Sequence, residues 1–215
     1  MKLYHYVHCP FCIRVRMALG YLRIPYESIV LRYDDETTPV KLAGKKMLPI
    51  LSSNKKVLNE SLDIIELIDQ DNRLETKFVT SEKTYLQLET LLNDLGKDIH
   101  NLAMPQWIYT KEFNDSSRLY FQKKKEVKRG PFNQLIKKSE KFIGNLKPKL
   151  SKLEYELTPY FQSQSFSLRD ILIASHLWGL YVVPEFQFSN KIHDYLQNIK
   201  KLTNFNYHED LWKEK

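Results

Sequence analysis

The chain contains two cysteines, and both lie in the short run His8-Cys9-Pro10-Phe11-Cys12. Two thiols at this spacing can form a redox pair, supply half of a metal site, or be inert neighbours. The run follows the strand-like KLYHYV and opens a helical pattern (Phe11, Val15, Ala18, Leu19, Leu22) that stops at Ile24-Pro25. Cys9 therefore falls at a helix N-terminus, where unpaired amide groups and the helix dipole stabilise a thiolate and lower a thiol pKa from about 8.5 toward about 3.5–7.5. Pro10 suits the first helical position, because the N–H it lacks would have no partner there. Cys12 follows almost one turn later on the same face, in reach of the Cys9 sulfur, so the spacing supplies a nucleophile and a resolving thiol. Zinc is a competitor, because His5, His8, Cys9 and Cys12 are all possible ligands. Positions 5 and 8 leave an extended strand and a turn in different directions, however, and no second ligand pair exists elsewhere in the sequence. Read singly, His8 is a polar turn residue and His176, inside an apolar helix, a core histidine.

Two further sites suit thiol chemistry. Leu48-Pro49 precedes the apolar pair Ile50-Leu51, and a proline at the start of a pairing strand is a candidate cis bond, with an ordinary trans turn as the alternative. Leu48 could there present its backbone to an extended peptide. Asn59-Glu60-Ser61 stands before the amphipathic run SLDIIELID, where a helix N-terminus welcomes a carboxylate, with simple N-capping as the alternative.

The elements that must position these residues follow from hydrophobic period. KLYHYV, the first helix and PYESIVL form a β-α-β unit with parallel strands and a right-handed crossover. A short helix over Thr38–Ala43, a hairpin from MLPILSS and KKVLN, and a helix with Leu62, Ile65 and Ile68 on one face complete an α/β unit. The polar stretch Asp71–Thr80 reads as a linker. Beyond it every period is helical: EKTYLQLETLLNDLGKDIHNLAM, SRLYFQKKKEV, FNQLIKKSEKFIGNLKPKLSKLEYEL, SLRDILIASHLWGLYVV and KIHDYLQNIKKL. The expected organisation is an α/β domain over residues 1–72, a linker over 73–83 and an all-α domain over 84–215. In FSLRDI, Ser167 and Asp170 form a capping box and Phe166 can staple onto Ile171.

At 215 residues the chain buries a sizeable core without disulfides, and two adjacent cysteines exclude a disulfide scaffold. The start MKLYHYVHCP has no apolar secretory segment, and the run Ile171–Val183 is too short for a membrane span. The net charge of +7 is concentrated in Arg118–Lys152, with 12 basic residues against Glu126 and Glu140. Without interleaved aromatics for base stacking, that segment reads as a solvated helical face rather than a nucleic-acid surface.

C-P-F-C after a first strand, L-P-I-L some forty residues later and N-E-S-L-D-I at the next helix resemble the thioredoxin-like, glutathione-binding half of glutaredoxins and glutathione transferases. MPQW, LYFQKKKEVKRGPFNQLI and SLRD in the helical half are similar to the glutaredoxin 2 family, bacterial glutaredoxins built on a transferase-like scaffold. The resemblance implies a glutathione-transferase-like architecture with a thioredoxin-like N-terminal domain and an all-α C-terminal domain. It also implies a glutathione-dependent thiol-disulfide oxidoreductase acting on glutathionylated or disulfide-containing proteins. Cys9 would be the nucleophile and Cys12 the resolving thiol, with Pro10 and Phe11 in support. Leu48 would bond glutathione through its backbone beside a cis Pro49, Glu60 and Ser61 would hold the γ-glutamyl end, and Lys45 or Lys46 would pair with the glycyl carboxylate. A cytoplasmic monomer that uses glutathione as co-substrate, without metal, nucleic acid or membrane, is the expectation. The rivals are a conjugating transferase or dehydroascorbate reductase, and a non-catalytic relative of intracellular chloride channels whose working surface is the basic segment.

Overall fold

The computed structural model describes residues 1–53 and 56–206, with Glu82 by its backbone alone; Lys55 of the expected hairpin and residues 207–215 of the expected helical domain lie outside the described residues. Strand β1 (Lys2–His5), helix α1 (Pro10–Tyr21) and β2 (Glu27–Val30) form the expected β-α-β unit, with Lys2 opposite Glu27 in a parallel pair. After α2 (Thr37–Ala43), β3 (Ile50–Ser52) runs antiparallel to β1 with Leu3 opposite Leu51, and β4 (Val57–Leu58) pairs with β3. The sheet order is β2-β1-β3-β4, and α3 (Ser61–Ile68) packs against α1.

Helix α1 is apolar around most of its circumference, the pattern of a helix covered on several sides. Cys12, Ile13, Val15, Met17, Ala18 and Leu19 are buried. Phe11, counted in the apolar pattern, instead stands 49% exposed. The cover comes from α3 and, on the helical side, from α9 (Leu168–Leu177) and α10 (Asn190–Leu202).

The helical half also comprises α4 (Thr76–Val79), α5 (Glu82–Trp107), α6 (Asp115–Arg129), α7 (Phe132–Lys137) and α8 (Ser139–Tyr155), and α9 runs on as a 3-10 turn over Trp178–Val182. The single helix expected from Phe132 onward is divided at Lys138, whose φ of −104° and ψ of 13° leave helical geometry. The polar stretch expected as a linker is anchored: Leu74, Thr76 and Val79 are buried. Asp69 accepts hydrogen bonds from the amides of Arg73 (2.8 Å) and Leu74 (3.1 Å) and from the Thr76 hydroxyl (2.6 Å), and the Leu168 amide donates to the Leu74 carbonyl (2.8 Å). Three buried side chains in ten residues are too few to show a period, which is why the sequence reads as loop.

The capping box forms, the Ser167 amide donating to Asp170 at 2.9 Å. Asp170 does more than cap, because the Phe161 amide (2.9 Å) and the Tyr195 hydroxyl (2.8 Å) also donate to it. Phe166 sets its ring against Tyr21 of α1 (4.7 Å) and Tyr160 (5.7 Å).

Gly20 of α1 lies directly against the end of α10, where an added Cβ would lie 1.7 Å from the carbonyl oxygen of Thr203. Gly20→Ala is expected to lower stability by about 1–3 kcal/mol through overpacking, measured as a lower urea midpoint. An unchanged midpoint would mean that α1 and α10 separate there without loss.

Candidate active site

The sheet delivers Cys9 to its position by ending. Beyond His5 the chain leaves β1, and Cys9 takes extended geometry (φ −70°, ψ 121°) as the N-cap of α1, with Pro10 in the first helical turn. The Cys9 carbonyl accepts from the amides of Cys12 and Ile13, both at 2.9 Å, which closes the first turn beneath the thiol. Cys9 is half-buried and Cys12 buried, and both are free thiols. Tyr6 N–H donates to the Cys12 sulfur at 3.4 Å.

These surroundings push the two thiols in opposite directions. A hydrogen bond from the Cys12 thiol draws Cys9 from its ordinary value near 9 down to about 7, helped by the Cys12 and Phe11 amides and the charge of Arg14 and opposed by burial. Burial, followed by the hydrogen bond with Cys9 and the charge of Cys9, drives the Cys12 thiol well up. The pair therefore consists of an accessible thiol that ionises near neutrality and a buried thiol that keeps its proton.

Arg14, absent from the expected site, is buried with its guanidinium 4.6 Å from the Phe11 ring centre. The only sequence signal for it is a charge within an apolar helix. The Phe11 ring meets His176 edge-on at 6.3 Å, and burial, then Arg14, pushes His176 down to about 4. His176 is the core histidine expected. His8 is not the polar turn residue expected: it is 1% exposed, stacks on Trp107 at 5.4 Å, and places Nε2 2.7 Å from the Thr110 hydroxyl and 3.3 Å from Glu112. Because the Thr110 hydroxyl donates its one proton to the Trp107 carbonyl (2.7 Å), the proton between His8 and Thr110 is carried by His8 Nε2. His5 is buried too, its Nε2 2.7 Å from the Ser28 hydroxyl, so both histidines of the candidate zinc set have other partners.

Leu48-Pro49 is a cis bond. The β1–β3 ladder ends at Tyr4 opposite Ile50, which leaves the Leu48 backbone outside it. Glu60 is the exposed N-cap of α3 and pairs with Lys45 at 3.2 Å, while Ser61 is buried in the first turn. Lys46, the other lysine that the resemblance offered for the glycyl carboxylate, acts as a strut in this structure. Its amine donates to the Tyr33 carbonyl (2.7 Å) and the Tyr120 hydroxyl (2.8 Å), and Glu36 lies at 3.6 Å.

A cleft of about 810 Å³ opens between the two halves, and Cys9, Phe11 and Leu48 line one side of it. Its floor is aromatic: Tyr6 stacks on Tyr33 at 4.1 Å, and Phe121 of α6 meets Tyr33 edge-on at 4.6 Å. Its other wall is basic, with Lys124, Lys125, Lys128 and Arg129 of α6 facing Lys97 of α5. The α6 part of the basic segment is thus a cleft wall, not only a solvated face. The period hid this because a lysine face looks the same in sequence whether it borders solvent or a cleft.

The two halves also match separate known domains. Residues 3–76 match the glutathione S-transferase N-terminal domain, and residues 87–211 match the glutaredoxin 2 C-terminal domain. Glutaredoxin 2 of Escherichia coli K12 is 32% identical over 211 residues, 96% of this chain and 97% of that protein. The crystal structure of glutaredoxin 2 from Salmonella typhimurium, in complex with glutathione, superposes with a TM-score of 0.85 at 31% identity, covering 98% of this chain and 97% of that one. A glutathione transferase from Phanerochaete chrysosporium shares the fold with a TM-score of 0.74 at 16% identity, covering 95% of this chain and 97% of that one. With a transferase-like first half, a glutaredoxin 2 second half and relatives that match from end to end, the chain belongs to the glutaredoxin 2 family.

Proposed function

We propose that this protein is a glutathione-dependent thiol-disulfide oxidoreductase that reduces glutathione mixed disulfides and protein disulfides through Cys9 and Cys12. The observation that carries this reading is the asymmetry of the pair, with Cys9 half-buried in the cleft at about 7 and Cys12 buried and protonated. At neutral pH a thiol of this pKa is substantially ionised yet still a good nucleophile, since nucleophilicity falls as pKa falls.

The Cys9 thiolate attacks the glutathione sulfur of a mixed disulfide. A bond forms between Cys9 and glutathione as the bond to the target sulfur breaks, and the target leaves as a thiolate with the electron pair. A second glutathione thiolate then attacks the glutathionyl sulfur, releasing Cys9 and glutathione disulfide. In sum, one mixed disulfide and one glutathione become one free thiol and one glutathione disulfide, with glutathione as the reductant. Against a protein disulfide, Cys9 attacks one sulfur and releases the other as a thiolate. Cys12 then attacks the Cys9 sulfur of the mixed disulfide, forming the Cys9–Cys12 bond and releasing the second protein thiol, and two glutathiones reduce that bond and leave as glutathione disulfide. Once Cys9 is in a disulfide its negative charge is gone, which removes one of the influences that hold the Cys12 proton.

Within this reading the Leu48 backbone bonds the cysteinyl part of glutathione beside cis Pro49, and Glu60 and Ser61 hold the γ-glutamyl end at the start of α3. Support comes from the Leu48 backbone lying outside the β1–β3 ladder, the position of Glu60 and Ser61 at a helix N-terminus, and the glutathione held by the Salmonella relative. The unit over residues 1–72 carries the thiols, the stretch 73–83 joins the units, and the helical unit from residue 84 supplies the opposite wall. The protein acts as a cytoplasmic monomer on glutathionylated proteins. Among the described residues no helix is long and apolar enough to cross a membrane.

Turnover of the mixed disulfide of glutathione with 2-mercaptoethanol, coupled to glutathione reductase, tests the assignment. Cys9→Ser is expected to abolish turnover, whereas Cys12→Ser retains it and loses the reduction of protein disulfides. Conjugation of glutathione to an electrophile, without disulfide turnover, would instead identify a transferase. The pH profile gives a separate check. Alkylation of Cys9 by iodoacetamide should rise through about pH 7 and level off above it, and Cys12→Ala, which removes the hydrogen bond to Cys9, should move that midpoint to higher pH. An unmoved midpoint would exclude Cys12 as the principal stabiliser of the thiolate.

A further inference from the structure

The cleft beside Cys9 has a one-sided charge that the chemistry at the thiol does not require. Six cations line it, Lys46, Lys97, Lys124, Lys125, Lys128 and Arg129, and among the described residues that line it there is no aspartate or glutamate. Lys46 is occupied by Tyr33, Tyr120 and Glu36, and Arg129 donates to Asn101 (2.8 Å) and to the Lys97 carbonyl (3.4 Å). The other four form no ion pair among the described residues, although Lys124 lies in the field of Glu36. Phe121, Lys124, Lys125 and Lys128 follow the i, i+3, i+4, i+7 spacing of a single helix face. That face turns its buried aromatic ring to the core and its cations to the cleft. Lys125 is the member most tightly held, half-buried with its amine 5.4 Å from the Phe121 ring centre. Burial lowers its pKa while the charge of Cys9 raises it, so Lys125 lies within the electrostatic reach of the reacting sulfur.

We propose that this wall selects the target: the cleft binds an acidic peptide segment flanking the disulfide to be reduced, with its carboxylates on Lys97, Lys124, Lys125 and Lys128 and its apolar side chains on the aromatic floor. The inference rests on the oxidoreductase reading and deepens it. Glutathione alone does not account for the wall, since it brings two carboxylates, and the γ-glutamyl end is assigned to Glu60 and Ser61, which do not line the cleft. Its remaining carboxylate can meet one of the four cations. A substrate with several carboxylates can meet all of them, and clefts that carry one sign of charge between low-dielectric walls concentrate such ligands and raise association rates by about 10–1,000-fold.

The test compares two peptides glutathionylated on the same central cysteine, one flanked by glutamates and one by lysines, with the mixed disulfide of glutathione and 2-mercaptoethanol, whose leaving thiol carries no charged flank, as a third substrate. At about 0.01 M salt, where the screening length is about 30 Å, kcat/KM for the acidic peptide should exceed that for the basic one roughly tenfold or more. At about 1 M, where that length is about 3 Å, the ratio should fall toward one. The double substitution Lys124→Glu and Lys128→Glu, which leaves two carboxylates against four cations in the cleft, should bring the ratio at low salt down toward one. The ratio is taken within one protein, so any effect of the substitutions on the thiol itself cancels. Equal kcat/KM for both peptides, with the 2-mercaptoethanol mixed disulfide turned over, would overturn the acidic-segment inference and leave the oxidoreductase reading intact. No turnover of any of the three would overturn that reading and the inference with it.

Discussion

The structure is organised around the burial of one thiol beside another. Cys12 can hold its proton and donate to Cys9 only if water is kept from it, and a thiol in the first turn of a helix is otherwise easily reached. The exclusion is achieved by covering α1 on nearly every side, with the sheet and α3 from its own half and with α9 and α10 from the other. Seen in this way the helical half is part of the redox site rather than an appendage to it. It also explains the closeness of α1 and α10 at Gly20, since a longer side chain there would prise open the cover. Arg14 shows what the arrangement costs. A guanidinium inside this packing is poorly solvated, and the structure places it where Tyr85, then the negative charge of Cys9, and the face of Phe11 offset part of that penalty.

A second constraint sets the width of the cleft. His8, the neighbour of the nucleophile, is tied to Thr110 and Glu112 in the connection between α5 and α6, and stacks on Trp107 in the last turn of α5. On the other side, Lys46 bridges Tyr33 and Tyr120, Tyr120 donates to Glu36, and Ser116 donates to Asp34 at 2.7 Å. Each tie runs between the α/β half and α5, α6 or their connection. The thiol and the basic wall are therefore held at a fixed spacing by polar contacts on two sides and by the stack of Tyr6, Tyr33 and Phe113 between them.

What could be read from the sequence was what is encoded locally. The N-terminal position of Cys9, the cis bond before Pro49 and the box of Ser167 and Asp170 each depend on residues within one or two turns of one another, and the β-α-β unit and the hairpin on the periods of consecutive elements. What could not be read depends on partners far along the chain. His8 looks polar and exposed until Trp107 and Thr110 are folded over it. Lys46 looks like a solvated or ligand-binding amine until Tyr120 reaches it from α6. The stretch around Leu74 looks like a linker because its order comes from Asp69 and Leu168 and not from a period of its own. The orientation of the α6 lysines belongs to the same class, since amphipathicity identifies the faces of a helix but not what the polar face confronts.

Disulfide exchange involves three sulfurs, and the two partners of Cys9 must be accommodated at once. The α3 side offers a helix N-terminus with Glu60 and Ser61, and the cleft side offers aromatic rings beneath four cations without ion-pair partners among the described residues. These surfaces differ in chemistry, and the functions proposed for them differ accordingly: the zwitterionic end of glutathione for the first, several carboxylates on an apolar body for the second. If both partners competed for one surface, bound glutathione would exclude the target it is meant to release. Under the proposed assignment the two surfaces are separate, since Glu60 and Ser61 do not line the cleft, and the glutathionyl group would remain in place while the reduced target departs through the cleft. The buried Cys12 is shielded from incoming disulfides yet hydrogen-bonded to Cys9, the position that the proposed resolving role requires.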